Sequence, residues 1–276
     1  MQAHPAPVAR WSAPPAVTAS IGLHAVAVGT VSLVPDALWW ALGGIGLNQL
    51  GLTAAGLWPR SHLLGPNWTR LPVAAAERRQ FALTLDDGPD PQVTPRVLDL
   101  LERHRVRATF FCIAARAQAA PALLREIVAR GHDVQNHSHS HRHHFALLGP
   151  RALAREVERA QQVLAELGGV RPHCFRAPAG LRNPFLDLVL HRQGLNLVSW
   201  TRRGFDTASR DPQRVLQRLT RGLAGGDIVL LHDGHAQRDA HGQPVVLDVL
   251  PRLLARAAEL GLQATTLREA IPPRGT

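Results

Sequence analysis

Between residues 81 and 266 short apolar runs alternate with longer amphipathic ones, and this alternation constrains the fold more than any other feature of the chain. The strand-like runs fall at 81–85, 109–113, 133–135, 173–176, 196–200, 228–231 and 262–266. Segments of helical period lie at 97–104, 121–130, 151–167, 184–193, 212–223 and 246–260. In 151–167, Leu153, Val157, Ala160 and Leu164 share one face while Arg and Glu residues, Glu156 and Glu158 among them, form an expected solvated face. Pro95, Pro121, Pro150 and Pro212 stand where first helical turns begin, the place in a helix that tolerates proline. Strands alternating with helices imply parallel pairing. Seven strand candidates make this an α/β chain and point to a (β/α)7-type barrel rather than an open sheet. In such barrels reactive side chains gather at the C-terminal strand ends.

The polar residues follow that rule. Asp86 and Asp87 end the first run, and a Gly-Pro turn follows them. Successive residues of a strand point to opposite sides, so two adjacent carboxylates at a strand end can take different tasks. Alone, Asp-Asp-Gly-Pro reads better as a solvated turn, and what overturns that reading lies downstream. His137 follows the third run, Arg176 ends the fourth, Asp206 follows the fifth and His232 closes the sixth. The third run continues into Asn136-His137-Ser138-His139-Ser140-His141-Arg142-His143-His144. Both His137 with His141 and His139 with His143 have the i, i+4 spacing that puts two imidazoles on one side of a helical turn, where they can share an ion. Two His and one Asp leave coordination positions open for water and substrate. His132 and His235 are candidates for the cleft lining, with ordinary polar loop positions the favoured reading, and Phe110 and Phe111 read as core.

Taken in order, five segments resemble the motifs of the polysaccharide deacetylase family, also called the NodB-homology or carbohydrate esterase 4 family. They are Thr84-Leu85-Asp86-Asp87-Gly88-Pro89, His137-Ser138 with His141, Arg176-Ala177-Pro178-Ala179-Gly180, Trp200 with Asp206, and Leu230-Leu231-His232. The resemblance spans about residues 80 to 270. It implies a NodB-like distorted barrel and a hydrolase that removes an N-acetyl group from an N-acyl amino sugar in a polysaccharide, peptidoglycan-like or lipid-linked glycan. Asp87, His137 and His141 would bind a divalent metal, usually zinc. This fixes the register of the histidine run and leaves His139 and His143 as bystanders. Asp86 would be the general base toward the attacking water, held ionised by Arg176. The backbone N–H of Ala179, with the metal, would stabilise the oxyanion. His232 would protonate the departing amine, with Asp206 fixing its tautomer. Leu230 would line the pocket for the acyl methyl. The sequence departs from the family at Ala179, often Tyr, at Arg203, often Asp, and at Thr207, often Trp. These departures turn attention from the reaction to the substrate. The alternatives are a deformylase or other deacylase of a lipid-linked amino sugar, with Arg202 and Arg203 meeting a phosphate, and a catalytically silent carbohydrate-binding member.

The N-terminal part has a different character. From Trp11 to Pro59 the sole formally charged residue is Asp36. Apolar stretches at 16–34 and 37–58 would each reach across a bilayer core of ~30 Å at ~1.5 Å per residue. Pro35-Asp36 marks a turn between them, and Trp39, Trp40 and Trp58 suit interfaces. The division expected is a membrane segment over 1–65 with two transmembrane helices, a linker over 66–80 and a catalytic domain over 81–276. Arg10, Arg60 and Arg70 flank the pair, which by the positive-inside rule places the catalytic domain on the cytoplasmic face of the inner membrane. The net charge of +10 is carried by Arg without Lys, and no aromatic residues interleave it as a nucleic-acid platform would need. An anionic membrane surface is the better partner, and no nucleic acid is expected. Cys112 and Cys174 lie in apolar runs and read as buried thiols.

Overall fold

The computed structural model describes residues 10–274. Two helices come first, α1 (Pro15–Leu33) and α2 (Leu38–Leu57), packed side by side and joined by a 3-10 turn at Pro35–Ala37. Their polar residues face each other: Asn48 Nδ2 donates to Ser20 Oγ at 2.8 Å, and Gln49 Nε2 lies 3.4 Å from His24 Nε2. Apolar side chains point outward, with Trp39 and Trp40 at 78% and 86% exposure beside the turn. Among the described residues, α1 alone is long and apolar enough to cross a membrane by length and composition. The second expected stretch is helical too, but Asn48, Gln49 and the glycines Gly43, Gly44, Gly46, Gly51 and Gly56 hold it below that level. The expected domain limits at residues 1 and 276 lie outside the described residues.

The rest is an α/β unit. Its strands are β1 (Gln80–Asp86), β2 (Thr109–Cys112), β3 (Asp133–Asn136), β4 (Cys174–Phe175), β5 (Asn196–Leu197), β6 (Arg202–Arg203), β7 (Ile228–His232) and β8 (Gln263–Thr265). The helices are α3 (Val73–Glu77), α4 (Thr94–Arg103), α5 (Ala114–Ala119), α6 (Pro121–Ala129), α7 (Pro150–Gly168), α8 (Leu186–Gln193), α9 (Pro212–Thr220), α10 (Val245–Glu259) and α11 (Leu267–Ala270). Proline opens α4, α6, α7 and α9, as its fixed φ and missing N–H allow.

All strand pairs are parallel, in the order β5-β4-β3-β2-β1-β7-β6. The central β1 meets β7 along Ala82–Asp86. Its other edge is shared, with β8 on Gln80–Ala82 and β2 on Thr84–Asp86. The expected barrel does not close by strand pairing, because β5 and β6 are the two ends of the path. The segment from Trp68 to Leu71 spans the gap. Ser199 N–H donates to Trp68 O, and Leu71 N–H donates to Gly226 O. The fold is thus an open, curled half-barrel. The run expected at 196–200 ends as a named strand after Leu197, and the carbonyls of Val198 and Ser199 accept from the Arg176 side chain. Residues Phe81 to Asp86 of β1 are buried, so the strand reads as a continuous apolar run ending in acid. Phe110 and Phe111 are core, and both cysteines are buried free thiols, as expected.

Candidate active site

The C-terminal ends of β1, β3 and β7 and the loops after β4 and β6 converge on one small cavity of roughly 180 Å³. Asp86, Asp87, His137, His141, Ala179, Leu230 and His232 line it, together with Gly180, Trp200, Arg203, Thr207 and His235. Arg176 and Asp206 stand behind its wall, at 1% and 0% exposure. Every residue singled out from the motifs therefore reaches one place.

Asp86 is the last residue of β1 and keeps its extended geometry, whereas Asp87 turns into the left-handed region at φ 72°. The two carboxylates accordingly meet different partners. Asp86 Oδ1 accepts from Arg176 Nη1 at 2.6 Å. That guanidinium also donates to Thr84 Oγ1 and to the carbonyls of Val198 and Ser199, and it lies 4.1 Å from the centre of the Phe111 ring. A buried ion pair needs further hydrogen bonds to be stable, and here Thr84 and the carbonyls of Val198 and Ser199 supply them to the guanidinium.

Asp87 Oδ1 lies 3.3 Å from His137 Nε2 and 3.2 Å from His141 Nε2. Neither approach is aligned as a hydrogen bond, so this buried oxygen has no hydrogen-bonding partner. The ligating atoms of Asp87, His137 and His141 lie within 4.8 Å of one another. His137 Nδ1 donates to Arg176 O at 2.8 Å, which turns the lone pair of Nε2 toward Asp87. Burial alone would raise the Asp87 pKa, but the imidazoles of His137 and His235 pull it well below the usual carboxylate range. Burial alone would lower the His137 pKa, yet the neighbouring charges of Asp86 and Asp87 raise it. Burial and the adjacent His137 lower His141 to about 4. An orphaned buried carboxylate oxygen facing two imidazole nitrogens, in a field that favours positive charge, fits a divalent cation.

The histidine run is not a helical turn, as its spacing had suggested. Ser138 and His141 sit at φ 66° and 49°, and the loop is folded by side chains. Ser138 N–H donates to Asn136 Oδ1, and His141 N–H donates to Ser138 Oγ. Glu156 of α7 accepts from the N–H and hydroxyl of Ser140 and from Arg142. Expected on a solvated face, Glu156 is 9% exposed and shapes the loop that carries His141. His139 turns away toward Gln118.

His232 closes β7 and faces Asp86 across the β1–β7 register. Asp206 holds it by two bonds of 2.8 Å, from the His232 N–H to Oδ2 and from Nδ1 to Oδ1. Burial alone would lower the His232 pKa, but Asp206 outweighs it and the pKa stands at about 9. Ala179 adopts φ 54°, and its N–H has no protein acceptor among the described residues.

Three further residues join the site without having been assigned to it from the sequence. His235 lines the cavity, and its Nδ1 lies 3.2 Å from Asp87 Oδ2. Arg116 Nη2 is 2.6 Å from His235 Nε2, and a guanidinium can only donate, so Nε2 accepts and the ring proton sits on Nδ1, donating to Asp87. Arg116 also donates to Asp87 O at 2.9 Å. Asp233 is buried beneath the Gly88 turn, bonded to Thr94 Oγ1 at 2.5 Å, and burial pushes its pKa up to about 7. A Cβ on Gly88 would come within 2.2 Å of that carboxyl, which is why glycine follows the acid pair. His132 lies at the opposite end of β3, accepting from Ala108 N–H. A different signal also marks the site. Of the eight non-glycine residues with positive φ among those described, six are Asp87, Ser138, His141, Ala179, Phe205 and His235, all at or beside the cavity. Backbone strain gathers where function over-determines geometry.

A family profile described as polysaccharide deacetylase matches residues 74–198. The chain is 30% identical over 193 residues to a peptidoglycan-N-acetylglucosamine deacetylase of Bacillus cereus, covering 69% of this chain and 87% of that one. It is 35% identical over 187 residues to a chitooligosaccharide deacetylase of Sinorhizobium fredii, covering 65% and 86%. A solved family 4 carbohydrate esterase from Streptomyces lividans, in complex with acetate, superposes with a TM-score of 0.62 at 32% identity, over 70% of this chain and 97% of that one.

Proposed function

Because the chain belongs to the polysaccharide deacetylase family, we propose that it is a carbohydrate N-deacetylase, a hydrolase of the amide bond of an N-acetyl amino sugar. The observation that carries this reading is the unpartnered Asp87 Oδ1 facing His137 and His141, with Asp86 and His232 lining the same cavity. Asp87, His137 and His141 would hold a divalent ion, with zinc the expected one. Such an ion, when bound, supplies Lewis-acid polarisation and lowers the pKa of water. Asp86 takes a proton from the attacking water, and Arg176 holds Asp86 in place for it. The water oxygen bonds to the acyl carbon, and charge grows on the carbonyl oxygen, where the free N–H of Ala179 can donate. The C–N bond then breaks, and His232 gives its Nε2 proton to the departing amine. Asp206 keeps the imidazolium oriented. The products are acetate and an amino sugar. Leu230 forms the wall for the acyl methyl. His235 and Arg116 position Asp87 from behind. The full set of Asp86, Asp87, His137, His141, Arg176, Asp206 and His232 argues against a silent carbohydrate-binding protein.

Acetate release from a panel of N-acetyl sugars by the purified chain tests this reading. Activity should vanish on chelation and return with zinc. No release from any N-acyl sugar by the zinc-loaded chain would refute it.

The membrane reading is supported by α1, by the outward apolar faces of α1 and α2 and by their polar residues pairing inward. In this reading α1 and α2 enter the bilayer together as a hairpin. Arg10, Arg60 and Arg70 on the domain side, against Asp36 at the turn, favour the cytoplasmic face. A reporter fused after Thr276 that is active only in the periplasm would contradict that placement.

A further inference from the structure

The helix pair is not a loose tether, because it docks onto the wall of the cavity. The carbonyl of Gly56, in the last turn of α2, accepts from Arg182 N–H at 3.1 Å. A Cβ on Gly56 would lie 2.2 Å from Arg182 O, so only glycine lets the helix come this close. Pro59, just beyond α2, packs on Gly180, where a Cβ would come within 2.8 Å of the proline and 2.6 Å of Trp200. Both Gly180 and Trp200 line the cavity. Pro59 O accepts from Ser199 Oγ at 2.6 Å, tying it to the residue before Trp200. At the start of α1, Trp11 Nε1 donates to Asp187 Oδ2 at 2.8 Å, and Arg274 secures the same carboxylate. Both domain-side ends of the hairpin are therefore fixed, and a bilayer around the hairpin would have its surface near Trp58 and Arg60, beside the cavity.

The cavity lining also includes Arg203, a cation outside any ion pair among the described residues. Arg203 stacks its guanidinium 5.2 Å from the Trp200 ring and 4.9 Å from the Phe205 ring. It makes no ion pair among the described residues, and its Nε is buried without a hydrogen-bond partner. Its neighbour Arg202 differs: it is bound to Asp227 and to the carbonyls of Arg221 and Gly222, a structural role. A guanidinium lying against Trp200 and Phe205 on the cavity lining, with no carboxylate paired to it, is the kind of donor that binds a phosphate. At roughly 180 Å³ the cavity has room for one sugar residue at the reacting position.

We infer that the substrate is a single N-acyl amino sugar joined through phosphate to a membrane lipid. The hairpin sets the cavity at headgroup height, the sugar enters from the bilayer surface, and Arg203 takes the linking phosphate. This inference rests on the deacetylase reading of the site.

The test uses the zinc-loaded full chain in nanodiscs and three probes: polyprenyl-phosphate-linked N-acetylglucosamine in the same disc, free N-acetylglucosamine 1-phosphate, and neutral chitotetraose. Sharing a membrane raises effective concentration, so kcat/KM for the lipid-linked sugar should exceed that for the free sugar phosphate by about 100-fold or more. Arg203→Ala should reduce the preference for phosphate-bearing over neutral substrate by about 10- to 100-fold, and Arg203→Lys should restore part of it. Equal turnover of the two phosphate-bearing probes would overturn the lipid half of the inference. Chitotetraose turned over as well as either, or an Arg203→Ala loss of the same size on all three, would overturn it entirely while leaving the deacetylase reading intact. No release from any of the three probes would overturn the inference, while the wider panel of N-acetyl sugars decides the deacetylase reading separately.

Discussion

Asp86 and Asp87 carry the same functional group one residue apart, yet they sit in opposite electrostatic surroundings. Asp86 ends a strand against a buried guanidinium, and Asp87 swings into the left-handed region toward two imidazoles. The period of a strand foretold the divergence. The partners came into view through the order of the motifs, because no spacing rule connects residue 86 to residue 176. His235 could not be told from an ordinary loop residue for the same reason. It reaches Asp87 from a loop 148 residues away, and nothing local marks it. Removing it frees Asp87 Oδ2, so His235→Ala should weaken zinc binding by about 10- to 100-fold, as loss of a group behind a metal ligand does. Titration of zinc against a competing chelator reads this directly, and unchanged affinity would show that the contact is idle. His232 gives a pH prediction. Its pKa in the fold, about 9, is above the ordinary 6.5, so the proton is held through neutral pH and lost as pH rises through about 9. Its contribution to stability has the same sign: present below 6.5 and lost on the same alkaline limb. The kcat of the deacetylase should therefore fall on an alkaline limb at or below pH 9, since a nearby divalent cation would lower it. Asp206→Asn should move that limb toward lower pH. A rate independent of pH up to 10 would rule out His232 as the proton donor.

At the scale of elements, most helices and strands lie where hydrophobic period and proline placed them, because those signals are local. What escaped is long-range. The barrel stays open between β5 and β6, and sheet closure depends on long-range contacts rather than on any one strand's composition. Helix α7 shows the limit of patterning in another way. Its apolar stripe was legible, but Glu156 on the polar side is spent on the histidine loop rather than on water. Glu156→Ala leaves the Ser140 N–H and hydroxyl without their acceptor and loosens His141. It should cost about 1–3 kcal/mol of stability by denaturant unfolding and weaken zinc binding, whereas Arg159→Ala on the same helix should do neither. Full zinc affinity in Glu156→Ala would assign the loop geometry to Ser138 and Asn136 alone.

At the scale of the whole molecule, the N-terminal helix pair and the catalytic half-barrel share one wall, at Gly56, Pro59, Gly180 and Arg182. Apolar area rather than charge should hold the protein to the bilayer. It should stay with membranes through a 1 M salt wash, where the Debye length is ~3 Å, and release into salt would show a merely electrostatic contact. The division of labour within the acid pair remains the centre of the mechanism. Zinc content and acetate release should be measured together for the full chain and for Asp86→Asn and Asp87→Ala. Asp86→Asn should keep its zinc and lose about 10²- to 10⁴-fold in kcat, the usual worth of a general base. Asp87→Ala should lose both zinc and activity. Retention of metal and turnover by Asp87→Ala would contradict the metal site and the mechanism built on it.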